Sequence, residues 1–408
     1  MFAIFCRKLK GRLFRAVPYA IVRSYRRYRS GKQYPEKYFR TATDLNIQMV
    51  AEIEKVPYPD LLVSNNKVKK NRSTNAIIEI NSTCNIDCLM CKPSLSTRKR
   101  TLIKEETLDL SIKRIKEYGI ETVALHTIGD PLANPKLEAI FKKFREQQIR
   151  VTLSSNGLLL KRHVDTLLEY WDVCSGIRFS IDGASQEVYE KIRSGGRWDV
   201  LLENLEIAKN ELLSKNNYYV TIAMTVSKDN VHEIGKFIVQ FKKYVPNPLS
   251  DLKFGLVNSL SPDNEYFENV NLFKNHTFQN LPCGFTTAHV PFILVDGRYS
   301  ICCRDYDGSL VIGNIKSESI SNAYSSNAMQ KVKKAHEAND VSAYALCNTC
   351  FKVDERVNNA FSFLVKLLIH KYPTGHAEFY QEKVNRFVEI FQDGTDLRDR
   401  YQNLVSTL

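Results

Sequence analysis

The 408-residue sequence lacks two features that would direct a chain into or across a membrane. It has no uninterrupted apolar run of the length that a membrane-spanning helix needs. It also has no amino-terminal apolar stretch followed by a small-residue cleavage site, as a secretory signal would have. The sequence therefore predicts a cytoplasmic protein with reduced cysteines, of which seven of the ten stand at metal-ligand spacing and are expected to bind metal instead of forming disulfides.

Acidic residues are scarce in the first 40 positions. Twelve Lys and Arg residues stand there against Glu36 alone, whereas the rest of the chain has 46 basic and 44 acidic residues. A protein that binds nucleic acid is expected to carry its basic excess on the folded body. The sequence therefore predicts no nucleic-acid partner, and RNA modification is disfavoured.

The amino-terminal extension, residues 1–72, begins with apolar and basic side chains at helical spacing. The apolar stripe consists of Phe2, Phe5, Leu9, Leu13 and Val17. A basic amphipathic helix suits an anionic membrane surface, which predicts peripheral membrane contact through residues 1–30 at the cytoplasmic face. Packing of the stripe on the folded body explains the pattern equally well, and an Arg-rich, acid-poor transit peptide is a third interpretation.

Histidine is absent around the most informative motif of the chain. Cys84, Cys88 and Cys91 form a Cys-x3-Cys-x2-Cys triplet, and the next histidine along the sequence is His126. A cluster held by protein alone takes four cysteines, so three leave one iron open to chemistry. Zinc sites usually pair Cys-x2-Cys units or combine Cys with His. The spacing therefore favours an open iron–sulfur cluster over a zinc site.

Short apolar runs alternate with amphipathic segments from residue 73 to 260. The predicted strands are Ala76–Ile80, Thr122–His126, Arg150–Ser154, Ile177–Ile181, Tyr219–Val226 and Leu252–Val257. Helical spacing between them predicts helices at Glu106–Tyr118, Pro135–Gln147, Val164–Trp171 and Asp199–Leu213. Such alternation indicates parallel βα units. The predicted fold is α/β, a partial (β/α)6 TIM-like barrel with its active site at the carboxyl ends of the strands.

The cysteine triplet resembles the cluster motif of the radical S-adenosylmethionine (SAM) enzymes. In that family SAM chelates the open iron, and one electron from the cluster splits it into methionine and a 5′-deoxyadenosyl radical that removes a substrate hydrogen. The resemblance implies a SAM-binding [4Fe–4S] cluster on the three cysteines, SAM itself, and an electron donor such as flavodoxin or ferredoxin. Met90 stands where the family usually has an aromatic residue, and it keeps an apolar, polarizable side chain.

Three further segments, each just after a predicted strand, are similar to SAM-binding segments of the family. Gly129-Asp130-Pro131 resembles the segment that binds the SAM amino group, with Asp in place of the commoner Glu. Ser155-Asn156-Gly157 resembles the segment near the ribose and methionine. Ser180 and Arg193 match residues that contact the SAM carboxylate, for which Arg is a suitable bidentate donor. The resemblance thus implies SAM contacts from Met90, Gly129, Asp130, Pro131, Ser155, Asn156, Gly157, Ser180, Asp182 and Arg193.

A second cysteine set follows the barrel. Cys283, Cys302, Cys347 and Cys350 resemble the ligands of the SPASM domain and its shorter twitch relative, with Cys303 a competitor for the Cys302 position. No cysteine follows Cys350, so the resemblance implies one auxiliary [4Fe–4S] cluster in a small α+β domain, residues 261–355. Four thiolates also suit structural zinc. The upstream barrel favours a cluster, because it resembles that of the radical SAM enzymes. Residues 356–408 are predicted to form a helical tail.

A closed auxiliary cluster suits electron transfer, because four protein ligands leave no open iron. Hydrogen abstraction followed by loss of an electron and a proton is a two-electron oxidation that needs such an acceptor. The leading hypothesis is therefore oxidation of a sugar-like or other small molecule. Redox-neutral epimerisation, with Cys303 or Cys174 as hydrogen donor, and peptide maturation are the alternatives. Residues 1–72 look too small for the peptide-binding winged helix of many maturases, and the SAM segments speak against a non-catalytic iron–sulfur protein.

Overall fold

Runs rich in β-branched residues form the parallel strands that frame the protein. The computed structural model describes residues 75–392 except 175, 215–217, 260–263, 280–282, 306 and 354. The predictions for residues 1–72 lie outside the described residues. The strands are β1 (Asn75–Ile78), β2 (Thr122–Ala124), β3 (Arg150–Ser155), β4 (Gly176–Ser180), β5 (Tyr219–Val226), β6 (Leu252–Leu256), β7 (Thr277–Gln279), β8 (Phe292–Ile293), β9 (Arg298–Ser300), β10 (Val311–Asn314) and β11 (Phe351–Val353).

Helices separate most of these strands. They are α1 (Glu105–Tyr118), α2 (Leu137–Glu146), α3 (Val164–Glu169), α4 (Gln186–Ile192), α5 (Trp198–Ile207), α6 (Ile234–Phe241), α7 (Pro248–Asp251), α8 (Glu265–Val270), α9 (Phe285–Ala288), α10 (Ile320–Ser325), α11 (Asn327–Glu337), α12 (Ala345–Asn348), α13 (Glu355–Lys371) and α14 (Ala377–Gln392). The helix α5 continues as a π-helical segment, Ala208–Leu213. The predicted barrel helices are confirmed with shifts of a few residues at their ends.

The first six strands run parallel in the order of the sequence, β1-β2-β3-β4-β5-β6. Their carboxyl ends therefore meet at one edge, which confirms the predicted partial barrel. Side chains alternate between the two faces of a strand. Ile177 and Phe179 of β4 are buried on the outer, helix-covered face, whereas Arg178 between them is exposed on the inner face.

The helix α2 shows how the sequence covers the outer face. Leu137, Ile140, Phe141 and Phe144 recur at helical spacing and are all buried. Lys143 and Arg145 lie near its end, where positive charge is favourable beside the carbonyl end of a helix. Burial of an apolar stripe, more than helix propensity, stabilises a helix of this length.

A hairpin from the region of the second cysteine set extends the barrel sheet. The strand β8 pairs in parallel with β1, β9 pairs antiparallel with β8, and β10 pairs antiparallel with β9, giving a nine-stranded sheet. The turn at Asp296-Gly297 joins β8 to β9. The strands β7 and β11 form a separate antiparallel pair. The predicted boundary at residue 260 thus falls between segments that share one sheet.

Two carboxyl-terminal helices complete the body, as predicted from the segments Asn359–His370 and Ala377–Asp393. The Asn358 side chain on α13 accepts a hydrogen bond from the Leu256 backbone N–H at 2.8 Å, so this helix covers the free edge of β6. Helix α14 packs against α6. Within the described ranges, none of the helices has the length and apolar character to cross a membrane.

Candidate active site and auxiliary cysteine cavity

The loops after β1 and β2 are in direct backbone contact, which brings Gly129-Asp130-Pro131 beside the cysteine triplet. The Asn81 side chain donates to the Thr83 carbonyl at 2.7 Å and to the Asp130 carbonyl at 3.0 Å. The Asp130 backbone N–H donates to the Thr83 carbonyl at 3.1 Å. A Cβ on Gly129 would lie 2.1 Å from the Asn81 carbonyl oxygen, so only glycine permits this approach.

Gly129→Ala is expected to lower the free energy of unfolding by about 3 kcal/mol, because the clash is with backbone that cannot rotate away. Gly255→Ala is the matched control, since a Cβ there meets no atom within 4 Å. Denaturant titration of the full chain compares the two variants. Equal midpoints would contradict the close backbone contact at Gly129.

The Asp130 carboxylate joins the second and third loops of the barrel. Its Oδ1 accepts from the Leu132 N–H at 2.9 Å and its Oδ2 from the Asn156 N–H at 2.7 Å. The Ser155 hydroxyl lies 2.9 and 3.0 Å from the two oxygens. Burial raises the pKa of Asp130, although these donors favour the charged form. The carboxylate thus positions Ser155 and Asn156, and its contact with SAM stays a prediction.

Asn156 reaches from the third loop to the cysteine triplet. Its side-chain amide donates to Asn85 Oδ1 at 2.9 Å and lies 3.9 Å from Cys84 Sγ. Gly157 follows with a φ of 81°, in the left-handed region that glycine adopts at no steric cost. The buried Asn204 side chain on α5 donates to the Gly157 carbonyl at 2.9 Å. Asn156 is therefore fixed from both sides.

Arg193 connects the fourth loop to the second cysteine. Its guanidinium lies 2.7 Å from Asp182 Oδ2 and donates to Cys88 Sγ at 3.5 Å. Burial opposes its charge, but Asp182 and Cys88 outweigh burial and raise the pKa of Arg193. Main-chain bonds support the pairing, since the Asp87 N–H donates to the Ser194 carbonyl at 2.8 Å. Arg193 is thus fully ionised and aimed at the cysteine loop.

One apolar cluster supports the triplet. Cys88 and Met90 are buried with Ile86, Val188 and Ile192, and Cys84 and Cys91 pack against the same cluster. Val188 and Ile192 belong to α4, a helix that was not predicted from the sequence. Met90 is therefore placed beside the cysteines, and Ser180 ends β4 at the same edge of the sheet. Contact of either residue with SAM stays a prediction.

The thiols of the triplet are poor acids in this setting. Burial raises the pKa of Cys84 to about 11, with Asp130 adding to the effect. Burial also raises the pKa of Cys88, against the lowering influence of Arg193. Thiolates are the forms that bind iron. Loading of a cluster must therefore drive deprotonation of these thiols, as metal binding to buried cysteines commonly does.

The surroundings fit a cluster with SAM better than an isolated thiol group. Arg193 and Asn156 donate toward two of the three sulfurs, as donors around cluster sulfurs do. The buried Nε of Arg193 has no hydrogen-bond partner in the described part of the chain. A buried donor without a partner is costly, and a carboxylate there would satisfy it. No three His, Cys, Asp or Glu side chains among the described residues converge on a single-ion position.

The second cysteine set lines one cavity of about 150 Å³. Its walls include five thiols, those of Cys283, Cys302, Cys303, Cys347 and Cys350. Apolar side chains such as Phe285, Ile301 and Leu310 form much of the rest, with Arg304 and Lys352 at the polar side. A cavity of this composition fits a closed cluster held by four thiolates. The cavity thus brings together cysteines that are distant in sequence, and their role as cluster ligands stays a prediction.

Local pairing explains how these cysteines meet. The β7–β11 pair sets Phe351, next to Cys350, opposite Gln279. The β9 strand leads through Ile301 into Cys302, whose sulfur accepts from the Arg304 backbone N–H at 3.4 Å. Contact with Cys302 lowers the pKa of Cys303 to about 7 and raises that of Cys302. Both sulfurs reach the cavity, so the choice between them as ligand stays a prediction.

Cys174 and two histidines near the second cysteine set are not among the residues that line the cavity. Cys174 is fully buried before the amino end of β4, 3.3 Å from the Tyr218 hydroxyl, and burial raises its pKa to about 11. His276 packs near Phe391 on α14, and His289 stacks on Tyr324 with ring centres 4.7 Å apart. The positioning residues Asn81 and Asn204 were not predicted from the sequence. The sequence does contain a signal for Asn204, because it is a polar residue between Leu201 and Leu205 on an apolar helix face.

Comparison with known proteins agrees with both cysteine sites. The model of the Radical SAM superfamily matches residues 78–238. The model of SPASM, an iron-sulfur cluster-binding domain, matches residues 283–351. The first match contains the triplet and the segments that are predicted to bind SAM, and the second contains the cavity cysteines.

Two relatives of known name align with this chain over only part of their length. The AdoMet-dependent heme synthase of Methanosarcina barkeri is 28% identical over 160 residues, which are 39% of this chain and 44% of that protein. The antilisterial bacteriocin subtilosin biosynthesis protein AlbA of Bacillus subtilis is 26% identical over 164 residues, 39% of this chain and 35% of that protein. The chain therefore spans less than half the length of either relative.

A solved structure matches the fold over most of the chain. Native anSMEcpe with bound AdoMet (SAM) has a TM-score of 0.51 at 16% identity, covering 82% of this chain and 99% of that chain. The two family matches imply SAM and [4Fe–4S] clusters as cofactors. The chain contains a radical SAM domain and, in its carboxyl-terminal region, a SPASM iron–sulfur domain.

Proposed function

We propose that this protein is a radical SAM oxidoreductase that removes a hydrogen atom from a sugar-like or other small molecule and oxidises it by two electrons. The observation that carries the proposal is the cavity lined by Cys283, Cys302, Cys347 and Cys350, with Cys303 beside them. Four thiolates close a cluster to substrate and leave it electron transfer as a role. An electron acceptor is what separates oxidation from a redox-neutral radical reaction.

The cysteine triplet and its neighbours would hold the cofactors of the first half-reaction. Cys84, Cys88 and Cys91 would be the protein ligands of a [4Fe–4S] cluster, which together with SAM would supply the chemistry of hydrogen abstraction. Arg193 is held by Asp182 at 2.7 Å and presents its free Nε for the SAM carboxylate. The backbone N–H of Asn156 donates to the Asp130 carboxylate at 2.7 Å, and this hydrogen bond orients Asn156.

The oxidation is balanced for electrons, because one electron from an external donor starts the reaction and the substrate later gives up one electron in its place. The substrate gives up a hydrogen atom, then one electron and one proton, and a new C=O bond forms from its C–H and O–H bonds. The four cavity cysteines hold the acceptor for that electron. A flavodoxin- or ferredoxin-type protein is proposed as the donor that first reduces the core site. Membrane contact through residues 1–30 stays a prediction, because that segment lies outside the described residues.

Peptide maturation is the second candidate, and the likeness to AlbA, named for bacteriocin biosynthesis, favours it. A peptide maturase of the SPASM type would use the same two cysteine sets of this chain. Redox-neutral epimerisation is disfavoured by the position of Cys174, which is buried before the amino end of β4 and far along the strand from the site. Cys303 remains a hydrogen-donor candidate.

Deuterium transfer tests the substrate class. The anaerobically reconstituted chain is incubated with SAM, a reductant and deuterated sugars, sugar phosphates, nucleotide sugars or cyclitols. We expect label in 5′-deoxyadenosine and an oxidised product with one of them, because hydrogen abstraction precedes oxidation. Label from a deuterated precursor peptide, with none from any small molecule, would replace the proposal by peptide maturation.

A further inference from the structure

By strand alternation the inner face of the barrel sheet carries three cationic side chains that the site described above does not use. Arg150 lies at the amino end of β3, and Arg178 and Lys253 lie nearer the SAM-binding edge. Arg178 on β4 pairs in register with Thr221 on β5, and Ala223, two residues further, pairs with Lys253 on β6. Side chains two residues apart share a face, as do directly paired ones. Arg178 and Lys253 therefore point to the same inner face, opposite the helix-covered one.

This pair lies next to the SAM-binding edge. Ser180, the predicted contact of the SAM carboxylate, pairs with Ala223, which pairs in turn with Lys253. Two strand spacings, about 10 Å, separate the backbones of Ser180 and Lys253. Arg178 lies two residues before Ser180 on the same strand. A small molecule that reaches the SAM edge from inside the barrel therefore meets both cations.

Carboxylates that would balance these charges are missing from the inner face. Neither Arg178 nor Lys253 has a hydrogen bond or ion pair with the described residues, and the inward positions of β2 to β6 hold no Asp or Glu. Glu79, after β1, is held by Arg98 through two 2.8 Å hydrogen bonds. Asp251, before β6, accepts from the Asn247 N–H at 2.9 Å and the Ser250 hydroxyl at 2.7 Å.

The neighbouring groups respond to the charge of Arg178. Burial, and then Arg178, lower the pKa of His126 to about 4. Burial, and then Arg178, also lower the pKa of Lys253, and they outweigh Asp251, which raises it. Burial, and then Lys253, lower the pKa of Lys366 on α13 to about 8. The buried Nδ1 of His126 has no hydrogen-bond partner among the described residues. Like charges on one face of a sheet, with a neutral imidazole beside them, favour the binding of an anion.

We infer that Arg178 and Lys253 bind a phosphate or diphosphate group of the substrate, with His126 as a neutral hydrogen-bond partner beside them. The inference rests on the proposed function and narrows its substrate to a phosphorylated small molecule. Phosphate fits better than a single carboxylate, because it offers more acceptor oxygens and about two negative charges to cations on strands two spacings apart.

Binding of inorganic pyrophosphate tests the inference on the reconstituted full chain with SAM present. Calorimetry is expected to show one site in the wild type, and Arg178→Gln/Lys253→Gln is expected to weaken binding by about tenfold or more. Arg162→Gln/Lys142→Gln removes one exposed Arg and one exposed Lys elsewhere and is expected to bind as the wild type does. Iron content and circular dichroism verify folding, and the single variant Arg178→Gln carries the test if the double variant misfolds.

Three outcomes would overturn the inference: no pyrophosphate binding by the wild type, undiminished binding by the Arg178 variants, or equally tight binding of malonate, a dicarboxylate without phosphorus. Cleavage of SAM by the wild type is measured in the same preparation. Cleavage without pyrophosphate binding defeats this inference alone. Fully iron-loaded protein that leaves SAM intact defeats the proposed function, whatever the pyrophosphate result.

Discussion

Cys88→Ala is expected to lower 5′-deoxyadenosine formation from SAM by at least about a thousandfold, equivalent to about 4 kcal/mol of activation free energy. Cys88 is buried, packs with Met90 and Ile192, and accepts a hydrogen bond from Arg193 at 3.5 Å. Its loss removes one of three cluster ligands and the partner of that guanidinium together. Iron analysis should fall from about eight atoms per chain to about four.

Cys174→Ala is the control for this variant, because Cys174 is an equally buried cysteine before the amino end of β4. It should retain both the iron content and the rate of SAM cleavage. Liquid chromatography of the anaerobic reaction measures 5′-deoxyadenosine directly. If Cys88→Ala cleaved SAM at the wild-type rate, the triplet would not be the catalytic cluster site.

Cys347→Ala/Cys350→Ala is expected to separate SAM cleavage from substrate oxidation. Both cysteines line the 150 Å³ cavity, and the core triplet lies at other loops of the barrel. Iron should fall by about four atoms per chain. Cleavage of SAM should stay within about threefold of the wild type, while oxidised product falls by at least about a hundredfold, because the electron has no acceptor.

Cys303→Ser is the matched control, since Cys303 lines the same cavity without being the predicted ligand. It should keep the full iron content and product yield. Loss of about four irons in Cys303→Ser would make Cys303 the ligand in place of Cys302. Full product yield from the iron-depleted Cys347→Ala/Cys350→Ala variant would rule out the auxiliary site as electron acceptor.

Much of the barrel could be predicted because its signals are local. Apolar β-branched runs alternate with helical spacing from residue 73 onward, and each SAM-binding segment follows its own strand. Such patterns fix the element type and the edge at which Gly129, Asn156 and Arg193 meet. The helix α4 was not predicted, because its seven residues are few for a helical pattern and lie directly before Arg193, in the segment assigned to SAM binding.

Contacts between segments distant in sequence could not be predicted in the same way. Nothing local in β8 indicates that it pairs with β1 across more than 200 residues, so the sheet continues past the predicted domain boundary. The Asp130 carboxylate was predicted to face the SAM ammonium, and its hydrogen bonds to Leu132 and Asn156 depend on tertiary structure. The cationic inner face required strand register, because Arg178 and Lys253 are 75 positions apart in the chain.

The most direct test of the account is the fate of SAM in the anaerobically reconstituted wild-type chain. With dithionite as reductant, we expect methionine and 5′-deoxyadenosine in equal amounts, and neither product without the reductant. The result follows from an open iron on Cys84, Cys88 and Cys91 beside Asn156 and Arg193. Protein that carries its full complement of iron and leaves SAM intact under these conditions would contradict the account.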